Sequence, residues 1–203
     1  MTGSGVGPGS DGRLRCGWCL SAPDYTAYHD DEWGRPVHGD DALFERLSLE
    51  AFQSGLAWIT ILRKREGFRA AFAGFSIERV AAFTERDEQR CLGDAGIVRN
   101  RAKIAATVAN ARALTGLLDR NGPGALDRLI WSHAPFPRPR PGTSAEVPAV
   151  TPESTTLARS LKALGLRFTG PTTAYAMMQA VGLVDDHLRQ CHVPVGSIPG
   201  DRG

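Results

Sequence analysis

Residues 164–174 read Leu-Gly-Leu-Arg-Phe-Thr-Gly-Pro-Thr-Thr-Ala and lie between two segments with helical periodicity. Gly165 can end the first helix because glycine adopts a left-handed cap without steric cost. Gly170 precedes the second helix, and Pro171 suits its first turn, where no backbone donor is needed. Backbone N–H groups exposed at such a helix start form an anion site. We therefore expect a helix-hairpin-helix unit at about 154–182, with an ordinary helix–loop–helix turn as the alternative.

The charge balance bears on what such a hairpin could bind. Lys plus Arg number 24 and Asp plus Glu number 22, which gives a formal net charge of +2 and does not indicate a strongly basic nucleic-acid binder. Main-chain amides hold a DNA phosphate without adding formal charge, so the hairpin interpretation is compatible with this balance. Only three of the cationic residues are lysines, and we attribute the arginine excess mainly to compositional bias. The candidate DNA-backbone residues are Gly165, Arg167, Thr169, Gly170 and Thr172.

The rest of the chain predicts an all-α fold. Apolar residues recur at i, i+3 and i+4 from Asp40 to Leu56, and Ser76 and Thr84 are suitable N-caps for two further helices. The length of 203 residues suggests one helical domain over 14–194. Glycine-rich and proline-rich ends predict a disordered tail at 1–13 and a flexible tail at 195–203. Six of the 13 prolines fall within 134–152, which is long for an internal loop and is expected to be functional or mobile.

Composition excludes several classes of protein. Hydrophobic residues make up 42% of the chain and charged residues 23%, which is typical of ordinary globular domains and not of disordered chains. No apolar run reaches the roughly 18 residues that a membrane-spanning helix needs. The first residues, MTGSGVGPGSDGR, lack the apolar segment of a secretory signal, so a cytoplasmic location is the default expectation. Four cysteines are too few for a disulfide scaffold.

Cysteine and histidine are concentrated at the two ends of the globular part. His187 and Cys191 are spaced i, i+4 and would share one helical face, and chain termini of compact domains often lie close together. Two thiolates and two imidazoles would make a closed tetrahedral zinc site, although Cys16 competes with Cys19 and His187 with His192. The alternative for Cys16 and Cys19 is a redox dithiol or two unrelated thiols.

An aromatic and acidic cluster lies in the first third of the chain. Its aromatic members are Trp18, Tyr25, Tyr28, Trp33 and Trp58. Flat aromatic faces suit a nucleobase, and suit a cationic one better, although aromatic residues at helical spacing more often belong to a core. Glu50, between Leu49 and Phe52, falls near the buried side of its helix, where a carboxylate must be paired or hydrogen-bonded. It is either a pocket carboxylate or a helix-surface glutamate.

Together these segments resemble the family of 3-methyladenine DNA glycosylase I. The resemblance covers about residues 14–192 and rests on RCGW (15–18), YHDDEWG (28–34), LE (49–50), GLAWIT (55–60), DAGI (94–97), RNRAKI (99–104), GLVDDH (182–187) and Cys191. The chain departs from the usual pattern at three places, one of which is the proline-rich segment 134–152, which matches poorly and leaves any DNA contact from it without support. The basic run before the hairpin is replaced by Lys162-Ala-Leu, and Pro171 stands where Thr or Ser is more usual. The loss of the basic run removes cations beside the DNA backbone.

The resemblance implies a structural zinc ion on Cys16, His29, His187 and Cys191, which leaves Cys19, Cys91 and His192 as bystanders. It also implies that Glu50 contacts the adenine edge, that Tyr28 and Trp58 stack on the base, and that Trp18, Tyr25 and Trp33 lie nearby. The implied activity is hydrolysis of the N-glycosidic bond of 3-methyladenine flipped out of double-stranded DNA by a monomeric enzyme. The family lacks a catalytic aspartate after the hairpin, so Asp185 and Asp186 are expected to cap or orient His187.

Three alternatives remain open from the residues. The chain could be a zinc-stabilised protein that recognises damaged DNA without chemistry, although such a protein would not need Glu50 in an aromatic pocket. It could be a thiol-redox protein built on Cys16 and Cys19. Leu56 is either a core residue, which is the preferred interpretation, or an apolar wedge for the vacated base stack.

Overall fold

The computed structural model describes residues 5–195, and this part of the chain is mostly helical. Its nine α-helices are α1 (Pro23–Asp31), α2 (Asp40–Gln53), α3 (Trp58–Ala71), α4 (Ile77–Ala81), α5 (Glu85–Gly93), α6 (Arg101–Asn121), α7 (Ala125–Trp131), α8 (Pro152–Ala163) and α9 (Pro171–Ala180). Short 3-10 turns occur at Gly17–Ser21, Ala73–Phe75 and Ser144–Glu146. Among residues 5–195, no helix has both the length and the apolar composition needed to cross a membrane.

Local sequence accounts for where several helices begin. Ser76 caps α4 by accepting a hydrogen bond from the amide of Arg79 at 3.4 Å, as predicted. At the start of α5 the amide of Thr84 donates to the carboxylate of Asp87 at 2.9 Å. Asn100 caps the long helix α6 in the same way as Ser76. These side chains satisfy backbone groups that a helix terminus otherwise leaves without partners.

Helix α2 runs through the centre of the molecule and packs against α3, α6, α7 and α9. Five of its apolar side chains are buried in the main core: Leu43, Phe44, Leu47, Leu49 and Phe52. Phe52 also packs against Phe68 and Phe72 around the end of α3. Burying one such side chain contributes about 1.5–3 kcal/mol, so α2 is held firmly in position. Glu50, on the same helix, is therefore carried into the interior.

The N-terminal segment corrects two predictions. Val6–Pro8 (β1) pairs antiparallel with Leu14–Cys16 (β2), so the fold contains a small β-ribbon and the predicted disorder is wrong over the described part of 1–13. Pairing satisfies the backbone groups of the segment, and Val6 packs beside Cys16 and Cys191. Sequence alone does not reveal this partner surface, because it is assembled from both ends of the chain. Residues 1–4 of the first predicted tail and 196–203 of the second lie outside the described residues.

The proline-rich segment 134–152 is attached to the C-terminal part of the chain. Arg138 forms an ion pair with Asp186 at 2.7 Å, and Arg140 forms one with Asp185 at 2.8 Å. The amide of Arg189 donates to the carbonyl of Pro141 at 2.9 Å. These contacts hold the segment against the region that follows α9.

Helices α8 and α9 pack together and are joined by the predicted glycine-bounded turn. Gly165 has a φ of 93° and lets the chain leave α8, and the amide of Leu166 donates back to the carbonyl of Leu161 at 3.1 Å. The predicted helix break at Gly165 is thus confirmed. Asn110 of α6 holds the turn from outside, because its side chain donates to the Arg167 carbonyl and accepts from the Arg167 amide.

Candidate active site and metal cluster

Four side chains from the two ends of the chain meet in one buried cluster. Cys16 comes from the end of β2, His29 from α1, and His187 and Cys191 from the segment after α9. Their possible ligand atoms all lie within 4.8 Å of one another. The structure therefore selects Cys16 over Cys19 and His187 over His192 in forming the cluster.

The separations between donor atoms are close to those around a single tetrahedral ion. His187 Nδ1 lies 3.1 Å from His29 Nε2, 3.7 Å from Cys191 Sγ and 4.0 Å from Cys16 Sγ. Bond lengths of about 2.0–2.1 Å to nitrogen and 2.3 Å to sulfur place tetrahedral ligands roughly 3.3–3.8 Å apart. Hydrogen bonding from the Cys16 thiol, followed by that from His187, lowers the pKa of the Cys191 thiol despite its burial. The cluster can therefore supply a thiolate, which is the form that binds a metal.

Both imidazoles of the cluster are oriented by a partner on their other nitrogen. His29 Nδ1 lies 2.8 Å from Oδ1 of Asp30, and His187 Nε2 lies 3.2 Å from the carbonyl oxygen of Trp33. Such outer partners fix the ring and the tautomer of a metal-binding histidine. Neither partner was predicted from the sequence, because Asp185 and Asp186 were expected to orient His187. Only Asp185 of that pair contacts His187, by accepting from its backbone amide at 3.2 Å.

The other cysteines and histidines lie outside the four-residue cluster. Cys91 is buried in the main core, where its thiol donates to the carbonyl of Ala71. His192 lies on the far side of Asp30, with Nε2 at 3.3 Å from Oδ1. Cys19 is buried in the turn after β2 and is not one of the four grouped residues.

The five predicted base-binding aromatics line one cavity of about 600 Å³ beside the cluster of two cysteines and two histidines. Tyr28 and Trp58 form one wall, with ring centroids 5.5 Å apart, and Trp18 contacts both Tyr25 and Trp33. Burial raises the pKa of Tyr25 to about 12, so its hydroxyl is neutral at ordinary pH. A cavity with aromatic walls can hold a flat ring by stacking.

Glu50 faces this cavity and is 5% exposed. Its carboxyl makes no hydrogen bond among residues 5–195. Burial raises the pKa of Glu50 to about 8, while the charge of Arg46 acts in the opposite direction. The prediction of a pocket carboxylate is supported over that of a surface glutamate, because a buried carboxyl without a partner is costly unless a ligand completes it.

Comparison with known proteins agrees with this arrangement. The methyladenine glycosylase family matches residues 18–194 of the chain. DNA-3-methyladenine glycosylase 1 of Escherichia coli (strain K12) is 44% identical over 188 residues, which cover 91% of this chain and 99% of that protein. The chain belongs to the methyladenine glycosylase family. The family predicted from sequence is thereby confirmed.

Solved structures of the family agree at the level of the fold. A crystal structure of 3-methyladenine DNA glycosylase I superposes with a TM-score of 0.82 at 43% identity, covering 88% of this chain and 98% of that one. The enzyme from Staphylococcus aureus, described in terms of 3-methyladenine recognition, superposes with a TM-score of 0.79 at 34% identity, covering 86% and 93%. The β1 strand and Cys16 precede the part of this methyladenine glycosylase that matches the family.

The cavity of this methyladenine glycosylase has a second wall that the sequence did not predict. Ser144 and Ala145 bring the proline-rich segment to the cavity, and Gln179 and Asp186 approach it from α9 and beyond. The Asp186 carboxylate accepts hydrogen bonds from Tyr175, Gln179 and Arg138 and is therefore fully engaged. No local pattern indicates this wall, because its residues become neighbours only through the packing of distant segments.

The structure bears on the residues that were considered for contacts with DNA. Leu56 is 41% exposed in the loop between α2 and α3, so the preferred interpretation of a core residue is wrong. In the hairpin, Gly165, Arg167, Gly170 and Thr172 are exposed, whereas Thr169 is buried. The predicted contact of Thr169 with a DNA phosphate, made through main-chain amides, stays a prediction.

Proposed function

We propose that the cavity around Glu50 binds a flipped 3-methyladenine and that the chain hydrolyses its N-glycosidic bond in double-stranded DNA. The family of the chain assigns it to the base-excision repair glycosylases. The observation that carries the assignment to this cavity is Glu50, a buried carboxyl between aromatic walls that makes no hydrogen bond among the described residues. A protein that only binds the DNA backbone would not need this carboxyl.

The cavity matches the chemistry of the lesion. While attached to deoxyribose, 3-methyladenine carries a positive charge, which both an aromatic face and a carboxylate attract. We assign Tyr28 and Trp58 to stacking and Glu50 to the edge of the adenine ring. Trp18, Tyr25 and Trp33 complete the aromatic wall. An undamaged adenine lacks the charge, so these interactions favour the alkylated base.

The base must leave the helix before it can enter the cavity. We propose that Leu56, exposed at the loop before Trp58, fills the space that the flipped base vacates. We further propose that α8, the turn and α9 act as a helix-hairpin-helix. Exposed amides at Gly170 and Thr172 would hold a phosphate at the start of α9. The close contact of Asn110 with Arg167 keeps this turn in one conformation.

The reaction itself demands little acid or base catalysis. The bond between the deoxyribose carbon and the base nitrogen breaks, and its electron pair neutralises the charge of the departing 3-methyladenine. Water adds to the resulting sugar cation and releases one proton. Glu50, facing the cavity, supports the developing sugar cation or the incoming water by its negative charge. No other step is required, so the enzyme is monofunctional.

The Cys16, His29, His187 and Cys191 cluster fits a structural zinc ion by its donor set and separations. When bound there, zinc would join the N-terminal ribbon and α1 to the C-terminal segment. Its place beside Trp18 and Trp33 would also fix one wall of the cavity. We also propose that the enzyme is monomeric. A cytoplasmic location remains our expectation.

Incubation of the protein with methylated DNA, followed by chromatography of the released bases, tests the proposal. We expect 3-methyladenine from the unmodified protein and little or none from Glu50→Gln, with metal content and fold retained. The alternative of a non-catalytic binder of damaged DNA predicts binding to methylated DNA with no base released by either protein. Full activity of Glu50→Gln would remove Glu50 from the site.

A further inference from the structure

Arg46 lies on α2 one turn before Glu50. Residues at this i, i+4 spacing share one helical face. The Arg46 side chain is only 14% exposed, and its Nη1 is buried without a hydrogen-bond partner among the described residues. Its Nη2 makes one long hydrogen bond of 3.3 Å to Oε2 of Glu32. The guanidinium is thus held in the interior with its charge incompletely paired.

The Glu32 carboxylate that accepts this hydrogen bond from Arg46 is shared with a second cation. Arg65 of α3 donates to both oxygens of Glu32, at 2.5 and 2.9 Å. Two guanidinium groups and one carboxylate leave a net positive charge. Because Arg65 takes the shorter bonds, the surplus resides mainly on Arg46.

This surplus positive charge acts on Glu50 from outside the base cavity. Among the described residues, the titratable groups that line the cavity with Glu50 are Cys16, Tyr25, Tyr28 and Asp186, and Arg46 lies on the same helix as Glu50. Of these only Arg46 is a cation. Arg46 is not among the residues that line the cavity, so it can act on Glu50 without contacting the base.

We propose that Arg46 is a positioning residue that favours the ionised form of Glu50, the form that attracts a cationic base. The proposal rests on the function assigned to Glu50 above. Burial by itself favours the neutral carboxyl, which would offer the cationic lesion no opposite charge. A nearby cation outside the cavity shifts the balance towards the carboxylate, and the charge of the incoming base completes the shift. Arg46 thereby links recognition of the lesion to pH.

The pH dependence of kcat/KM for release of 3-methyladenine from methylated DNA tests this role. In Arg46→Met, an unbranched side chain of similar reach, we expect the acid limb to move to higher pH by about one unit. Activity at pH 7 should fall about tenfold and approach that of the unmodified enzyme at alkaline pH. Arg46→Lys, which restores a cation, should return the limb close to its original position.

Arg69→Met is the matched control. It removes the same charge from α3, where Arg69 pairs with Glu45 of α2 and with Glu66, away from the cavity. We expect its acid limb to remain where the unmodified enzyme has it. An equal shift in both variants would reflect net charge alone and would overturn the proposal.

Other outcomes separate the inference from the function on which it rests. If Arg46→Met lowers activity equally at every pH, or changes nothing, Arg46 is merely structural. If Glu50→Gln keeps the full activity and the acid limb, the assignment of Glu50 fails instead. Should Arg46→Met not fold, as judged by circular dichroism, Glu32→Gln replaces it. That variant frees the Arg46 charge, so the limb must move to lower pH, and an unmoved limb would refute the proposal.

Discussion

His29 Nε2 lies 3.1 Å from His187 Nδ1, although 158 positions of sequence separate the two residues. Each ring turns its other nitrogen towards an acceptor, Asp30 for His29 and the Trp33 carbonyl for His187. Two imidazoles that point their free nitrogens at each other and at two thiols form a site prepared for a cation. The same rings pack against Trp18 and Trp33, so the cluster and the base cavity share a wall.

Metal analysis should find about one zinc ion per chain, as expected for a four-ligand site. Cys16→Ser should lose most of it, because serine does not supply a soft thiolate. The loss should lower the free energy of unfolding by several kcal/mol and loosen both ends of the chain. Inductively coupled plasma mass spectrometry and thermal melts provide the measurements. Cys91→Ser is the control, since Cys91 lies in the main core and should leave the zinc content unchanged.

Glu50→Gln should stabilise the fold at neutral and alkaline pH. Because burial raises the pKa of Glu50 from 4.5 to about 8, the folded state resists ionisation that the unfolded state accepts. The resulting loss of stability in the unmodified protein is negligible below pH 4.5 and reaches about 3 kcal/mol at pH 7. In urea unfolding at pH 5, 7 and 8.5, the free energy of unfolding of Glu50→Gln should exceed that of the unmodified protein by an amount that increases with pH. An advantage independent of pH would argue against a titrating carboxyl at this position.

Free 3-methyladenine should change the tryptophan fluorescence, because three tryptophans line the cavity: Trp18, Trp33 and Trp58. Trp58→Leu should weaken binding of the base by roughly 1–3 kcal/mol, the usual contribution of an aromatic stack. Trp131→Leu serves as the control, since Trp131 lies on α7 and stacks on His38. Binding that Trp58→Leu leaves unchanged would place the base elsewhere.

Leu56→Ala should reduce excision from double-stranded DNA about tenfold while leaving binding of the free base intact. The side chain is exposed, so its loss should alter the free energy of unfolding by less than about 0.5 kcal/mol. Comparison of duplex with single-stranded substrate isolates the flipping step. If both substrates suffer equally, Leu56 does not act as a wedge.

Asn110→Ala should weaken binding to DNA without touching the base cavity. Its side chain makes two hydrogen bonds to the backbone of Arg167, at 3.1 and 2.8 Å, and their loss should cost about 1–3 kcal/mol of stability. The hairpin would then sample other conformations. We expect a higher Kd for undamaged duplex in a fluorescence anisotropy titration and an unchanged Kd for free 3-methyladenine. A normal Kd for duplex would show that the hairpin does not hold phosphate.

Several features could be predicted because they depend on neighbours in sequence. The cap at Ser76, the break at Gly165 and the apolar face of α2 follow from local preferences and helical periodicity. The family followed from strings such as YHDDEWG, whose order and spacing are retained along the chain. By contrast, the β-ribbon was predicted to be disordered, and Leu56 was assigned to the core, because their surroundings depend on remote segments.

The sequence by itself therefore determined the helical class, the family and the candidate residues for the chemistry. Only the tertiary structure decided which cysteines and histidines meet, that Asp30 and the Trp33 carbonyl orient the two imidazoles, and that the buried Nη1 of Arg46 lacks a hydrogen-bond partner among the described residues. The reason is physical. Helix formation is governed by contacts three or four residues apart, whereas donor geometry and burial of charge depend on surfaces brought together by packing over the whole chain.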